Sequence, residues 1–145
     1  MVATVRVESA GDGAEFLELL RSEFRARRAD RIGLVYADLR FGCECPEPLA
    51  ELVMDDAQSH LRRTVPECSS VYAVGGQVRM LARGTVLDLV GYAERARLCL
   101  DRLRWMEGAA SFQVEVALSL AAPGEGPKDL VRRTAALLPS PATRP

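Results

Sequence analysis

The sequence VYAVGGQVRML at residues 71–81 places two short apolar runs on either side of a Gly-Gly pair. Alternating apolar residues around two glycines are typical of a β-hairpin with a two-residue turn. Such a turn needs positive φ angles, which glycine adopts without strain, so we expect Gly75 and Gly76 to form it with positive φ at both positions. The sequence therefore predicts two antiparallel strands joined at these glycines.

The hydrophobic pattern outside the hairpin predicts further helices and strands. The nearly unbroken apolar run at residues 32–38 predicts a central strand that is buried on both faces. From this strand onward the order is β-α-β-β-α-β, which predicts an α+β fold of the ferredoxin-like or palm type, with a mainly antiparallel sheet and one extra helix on each side. The predicted helices cover residues 14–28, 49–61, 85–104 and 128–138, with Thr85 as the expected N-cap of the third helix. The last strand is predicted at residues 112–120.

The length and composition favour one domain of ordinary size. The chain has 145 residues, of which 27% are charged, and a formal net charge of -1, so we expect no nucleic-acid partner. We expect the domain to span residues 10–138, between an N-terminal extension at residues 1–9 and a flexible Pro-rich tail at residues 139–145. Within the extension, the β-rich run at residues 3–7 is expected to form an edge strand that covers the sheet or pairs with another subunit.

The sequence has neither a run of about 18 apolar residues nor a signal peptide. We therefore expect no membrane span and a cytoplasmic location, where thiols are normally reduced. Cys43, Cys45 and Cys68 could bind zinc together with His60, but their spacing is not a common structural pattern. The sequence thus predicts no metal site and leaves the role of these cysteines open.

In the order and spacing of its elements, the chain resembles a GGDEF domain, the diguanylate cyclase family, over residues 10–138. IGLVYADL at residues 32–39 resembles the family's first strand, and VALSLA at residues 116–121 resembles a strand that usually reads V-S-I-G-V-A. The resemblance implies that Asp38, which ends the first strand, corresponds to a metal-binding aspartate. In the predicted topology this residue lies beside the hairpin turn.

The positions that follow the two glycines depart from the family pattern. The family has acidic residues there, whereas this chain has Gln77 and Val78. Neither an amide nor valine can replace a carboxylate as a charged ligand of Mg²⁺. We therefore expect a pseudo-diguanylate cyclase without catalytic residues and without Mg²⁺ or GTP as a cofactor. A weakened nucleotide site would comprise Asp38, Leu39, Glu51, Gly75, Gly76 and Gln77.

These expectations define two main hypotheses about function, and a residual or altered nucleotidyltransferase ranks third because at least one carboxylate ligand of the metal is missing. The first is a catalytically inactive GGDEF-like domain that acts in a bacterial signalling system as a regulatory or scaffolding protein-interaction module. It would bind a protein partner in trans, and a homodimer is also expected to be possible through an exposed edge strand or a helical face. The alternative is a non-catalytic sensor of GTP or cyclic di-GMP. A simpler interpretation of Asp38 is that it terminates a strand or caps the turn that follows.

Overall fold

The computed structural model describes residues 2–25, 31–42, 45–68, 70–106 and 112–138. These residues form four helices and four strands, and the predicted α+β class is confirmed. In chain order the elements are α1 (Val2–Arg25), β1 (Ile32–Phe41), α2 (Glu47–Thr64), β2 (Ser70–Val74), β3 (Gln77–Arg83), α3 (Val86–Met106), β4 (Phe112–Leu120) and α4 (Pro127–Ala136).

The four strands form one sheet in the order β2-β3-β1-β4. Every neighbouring pair in this sheet is antiparallel. The order arises because each helix that connects two strands carries the chain past one neighbouring strand, which leaves β1 inside the sheet. The predicted β-α-β-β-α-β order, with one extra helix before it and one after it, is confirmed.

Strand β1 is buried on both faces, as its apolar sequence predicts. Val35, Ala37 and Leu39 face a core built with α2 and α3, and we call this side the α2/α3 face. Leu34 and Tyr36 face a second core built with α1 and α4, on the α1/α4 face. Because side chains alternate along a strand, each position of β1 is assigned to one of these two faces.

The turn between β2 and β3 consists of Gly75 and Gly76, with Val74 and Gln77 paired across it. Gly75 has φ 63°, but Gly76 is not in the positive-φ region, so the expectation of positive φ at both glycines is wrong for the second. One positive φ at the first turn position is the pattern of a type II′ turn. A Cβ on Gly76 would lie 3.2 Å from the Leu39 carbonyl oxygen, so close backbone approach favours glycine there.

The predicted edge strand at residues 3–7 is wrong, because the structure places these residues in α1, which begins at Val2. A strand is stable only when a neighbour completes its backbone hydrogen bonds, whereas a helix satisfies those groups internally. The β-propensity of a short run is too weak to decide between the two. The predicted tail at residues 139–145 lies outside the described residues.

Helix α3 begins after Thr85, as the sequence predicts. The Thr85 hydroxyl accepts a hydrogen bond from the Asp88 N–H at 3.2 Å, and the Asp88 carboxylate accepts one from the Thr85 N–H at 2.9 Å. This reciprocal cap satisfies two backbone donors at the helix start. Leu89, Ala96 and Leu100 of α3 then reach the α2/α3 core.

Candidate functional site

Asp38 lies beside the hairpin turn, as the predicted topology requires. It is directly opposite Gln77 in the register of β1 and β3. One residue further along β1, the Leu39 N–H donates a hydrogen bond to the Gly76 carbonyl at 2.8 Å. The end of β1 and the turn are therefore held together by backbone contacts, and the expected proximity of Asp38 to the hairpin is confirmed.

The structure does not bring Glu51 to this place. Leu39 packs in the α2/α3 core, so its neighbour Asp38 directs its side chain to the opposite, α1/α4 face. Glu51 belongs to α2, whose Val53 and Ala57 pack on the α2/α3 face. Of the predicted site residues, Asp38, Gln77 and the two turn glycines are adjacent, Leu39 contributes its backbone, and Glu51 is on the other side of the sheet.

The carboxylate of Asp38 forms an ion pair with Arg40 at 2.8 Å. The two residues are two positions apart on β1 and therefore share a face. Their side chains are only 14% and 11% exposed, respectively. This carboxylate therefore already has a cationic partner within the same strand.

Burial raises the pKa of Asp38 above its usual value. The positive charge of Arg40 opposes this rise, and the negative charge of Glu115 adds to it. Glu115 is directly opposite Asp38 on β4 and is exposed. The ionised form of Asp38 is consequently disfavoured by desolvation and depends on Arg40 for compensation.

A second arginine occupies the neighbouring strand. The Nε of Arg79 donates a hydrogen bond to the Gln77 side-chain oxygen at 3.2 Å. The guanidinium carbon of Arg79 also lies 4.9 Å from the centre of the Tyr36 ring, within the range of a cation–π interaction. Burial raises the pKa of Tyr36 to about 12 despite the opposing charge of Arg79. Gln77 is thus engaged by a cation, like Asp38.

The arrangement consists of two carboxylates, Asp38 and Glu115, and two guanidinium groups, Arg40 and Arg79. Guanidinium groups bind anions and repel divalent cations, so their position beside Asp38 disfavours Mg²⁺ there. Among the residues that the structure describes, no group of three or more His, Cys, Asp or Glu side chains could hold a metal ion. Chemically, the site is suited to an internal ion-pair network or to contact with an anion.

Sequence reasoning missed Arg40, Arg79 and Glu115. Arg79 had a readable signal, because it stands two positions after Gln77 on the same predicted strand and therefore on the same face. Arg40 lies beyond the strand predicted at residues 32–38 and shares the face of Asp38 because β1 continues to Phe41, so Asp38 does not terminate the strand. Glu115 could be found only from the register of β1 with β4, which no local pattern specifies.

The cysteines do not form a site in the described part of the chain. Cys45, Cys68 and Cys99 are free thiols. Burial raises the pKa of Cys68 to about 12, with a further contribution from Glu67 and opposition from Arg95. A thiol with such a pKa is a poor nucleophile and a poor metal ligand. Cys43, which the zinc alternative also required, lies outside the described residues.

Comparison with protein-family models, with curated proteins and with solved structures finds no match to this chain. The class of the protein is given by its own fold and site. It is an α+β protein with a β-α-β-β-α-β order and an ion-paired aspartate beside the hairpin. None of the helices in the described ranges combines the length and the apolar character needed to cross a membrane.

Proposed function

We propose that this protein is a non-catalytic GGDEF-like domain that acts by binding another protein, as a regulatory or scaffolding module of a bacterial signalling system. The observation that carries the proposal is the ion pair of Asp38 with Arg40 at 2.8 Å. In a palm-type enzyme the corresponding carboxylate must be free to bind Mg²⁺. Here a guanidinium group occupies that position, and the next expected acid is Gln77, which binds Arg79.

The surface of α3 supports a binding role. Val86, Leu87 and Val90 lie in its first two turns and are 53%, 80% and 43% exposed. Single exposed apolar residues are common on protein surfaces, but a group of them is typical of an interaction site. We propose that the partner contributes an apolar segment that covers these three side chains.

The proposal predicts that a partner captured from cells is lost when this surface becomes charged. Replacing Leu87 and Val90 with lysine is expected to reduce capture at least about tenfold, because burying an unpaired charge opposes binding. Leu52→Lys is the matched control, since Leu52 is 62% exposed on α2, and it should retain the partner. Equal capture of the same partner by all variants would exclude this surface.

A second candidate function, sensing of GTP or cyclic di-GMP, is favoured by the openness of the turn. An added Cβ on Gly75 would meet no atom within 4 Å, so a ligand could approach the backbone there. Arg40 and Arg79 lie close by, and guanidinium groups bind phosphate well. In this mechanism a phosphate would displace Asp38 from Arg40, and no bond of the nucleotide would be broken.

Thermal unfolding in the presence of GTP with Mg²⁺, or of cyclic di-GMP, separates the two functions. A ligand that binds only the folded state raises the melting temperature, by mass action. The protein-interaction proposal predicts no rise. The sensor predicts a rise that depends on ligand concentration and is abolished by Arg40→Met, which removes the guanidinium group that would bind the phosphate. The rise should survive in Glu51→Ala, because Glu51 belongs to a helix on the other side of the sheet.

A further inference from the structure

The outer edge of β4 carries backbone groups that are directed away from the sheet. The Ala121 N–H donates to the Ile32 carbonyl at 2.8 Å, which fixes the alternation of hydrogen bonds along the β1–β4 pair. Odd-numbered residues of β4 bond to β1, and the even-numbered residues from Phe112 to Leu120 point outward. The Leu120 carbonyl accepts a hydrogen bond from Arg133 at 2.7 Å, but no other described segment bonds to the outward groups between residues 112 and 118.

At the opposite edge of the sheet, formed by β2, side chains cap an outward backbone group. There the Val71 carbonyl points outward and accepts hydrogen bonds from two side chains of α2, Gln58 at 3.2 Å and Arg62 at 2.9 Å. Polar side chains that cap an edge in this way prevent it from pairing with another strand. Within the described residues, the sheet is therefore blocked at β2 and open along most of β4.

We propose that β4 pairs with β4 of a second copy of this chain, antiparallel about a two-fold axis that passes through Val116. This pairing would join two four-stranded sheets into one continuous sheet. It supplies partners for the outward backbone groups, and it is isologous, so it closes as a dimer. The inference goes beyond the proposed function, because it concerns contacts of the chain with itself.

The register follows from two constraints. Only even-numbered residues present outward groups, so hydrogen-bonded pairs must join even to even, and an overlap centred on the middle of the strand Phe112–Leu120 then places Val116 opposite Val116 of the second copy. The terminal residues Phe112 and Leu120 are left out of the pairing, because Arg133 already occupies the Leu120 carbonyl. If one copy were shifted by one residue, even-numbered residues would face odd-numbered ones, whose backbone groups already bond to β1. In the proposed register Val114 lies opposite Leu118 of the second copy, and Glu115 lies opposite Ala117.

The side chains agree with this register. Val114, Val116 and Leu118 are partly buried and already pack against the α2/α3 core, so pairing would extend that core across the axis. The register that centres on Glu115 instead would place two carboxylates directly opposite each other, which is destabilising. The apolar contacts and the charge of Glu115 therefore favour the two-fold axis at Val116, which the outward backbone groups also favour.

The first test is the oligomeric state, measured by sedimentation over a range of concentrations. Val116→Pro removes an outward N–H at the axis without removing a bond to β1, since proline is tolerated where an edge N–H faces solvent. It should weaken dimerisation at least about tenfold. Ala73→Pro is the matched control, because Ala73 has the same outward position on β2, and it should leave the dimer intact. A wild-type chain that is monomeric at all concentrations would overturn the proposal.

A cross-linking experiment tests the axis without a proline. Residues facing each other in a hydrogen-bonded antiparallel pair have Cα atoms about 5.5 Å apart, which is within the range of a disulfide. Val116→Cys should therefore form a covalent dimer under mild oxidation, beyond the level seen with the native thiols. Val114→Cys should not, because Val114 would face Leu118 of the second copy. Cross-linking at residue 114 that equals or exceeds that at residue 116 would refute the register.

Discussion

Replacing Gly33 with valine is expected to lower the free energy of unfolding by about 3 kcal/mol, because the core has no room for the added side chain. Gly33 lies on the central strand and faces α3. A Cβ at this position would lie 2.4 Å from Cδ1 and 2.8 Å from Cδ2 of Leu89. Leu89 is fully buried, so it can move only by displacing its neighbours. Urea unfolding followed by circular dichroism measures the change.

The double variant Gly33→Val with Leu89→Ala identifies the cause. Leu89→Ala alone should destabilise by about 2–5 kcal/mol through the cavity that it leaves, and the valine should partly fill that cavity. The double variant is therefore expected to be clearly more stable than the sum of the two single effects predicts. Gly91→Ala serves as a control, since an added Cβ there meets nothing within 4 Å. Strict additivity would show that the contact with Leu89 is not the reason for glycine at position 33.

The central part of the fold could be predicted from the sequence because several local signals agree there. The apolar run at residues 32–38 is too continuous for a half-exposed strand, and it forms the doubly buried β1. The glycine pair marks the turn, and Thr85 marks the start of α3 through its hydroxyl. Each of these signals is read within a few residues, and none depends on distant contacts.

The errors occur where distant contacts decide. Glycine at position 76 is favoured by the approach of the Leu39 carbonyl, which belongs to another strand. Glu51 is near the end of β1 in the order of elements, but the alternation of faces separates it from Asp38. Because both faces of β1 are apolar, the sequence does not say which of its side chains face the side that α2 covers.

The position of the candidate site could be predicted from the sequence, but the side chains that surround Asp38 could not. The topology alone places Asp38 beside the hairpin, and the sequence shows that Gln77 and Val78 follow the two glycines. The partners of these side chains became visible only in the structure, where Arg40 pairs with Asp38 and Arg79 binds Gln77. Charged residues are also common where a strand faces solvent. Arginines at these strand positions therefore do not by themselves indicate an ion pair.

The ion pair of Asp38 and Arg40 gives the second large effect. Arg40→Met keeps much of the aliphatic stem and removes the charge, which leaves the Asp38 carboxylate largely buried beside Glu115. Breaking one side of a buried pair typically costs 3–5 kcal/mol, and the partial exposure of this pair reduces our expectation to about 2–3 kcal/mol at neutral pH. Chemical denaturation of the variant and the wild type measures the difference.

The loss should depend on pH in a definite direction. The pKa of Asp38 is already raised by burial, and removal of Arg40 takes away the charge that opposes this rise. Between the ordinary pKa of the unfolded chain and the raised pKa of the folded variant, the folded state holds more protons, so stability falls as pH rises through this window. The deficit of Arg40→Met should therefore be largest at neutral pH and should shrink on acidification through the raised pKa.

Asp38→Asn in the Arg40→Met background provides the control, because it removes the buried charge while keeping the shape of the side chain. This double variant should recover most of the stability lost at neutral pH and should not show the acid-dependent recovery of Arg40→Met. If Arg40→Met is equally destabilised at all pH values and Asp38→Asn gives no rescue, Arg40 acts through packing and not through the carboxylate. A rescued double variant would instead show that Arg40 stabilises the fold by compensating the largely buried charge of Asp38.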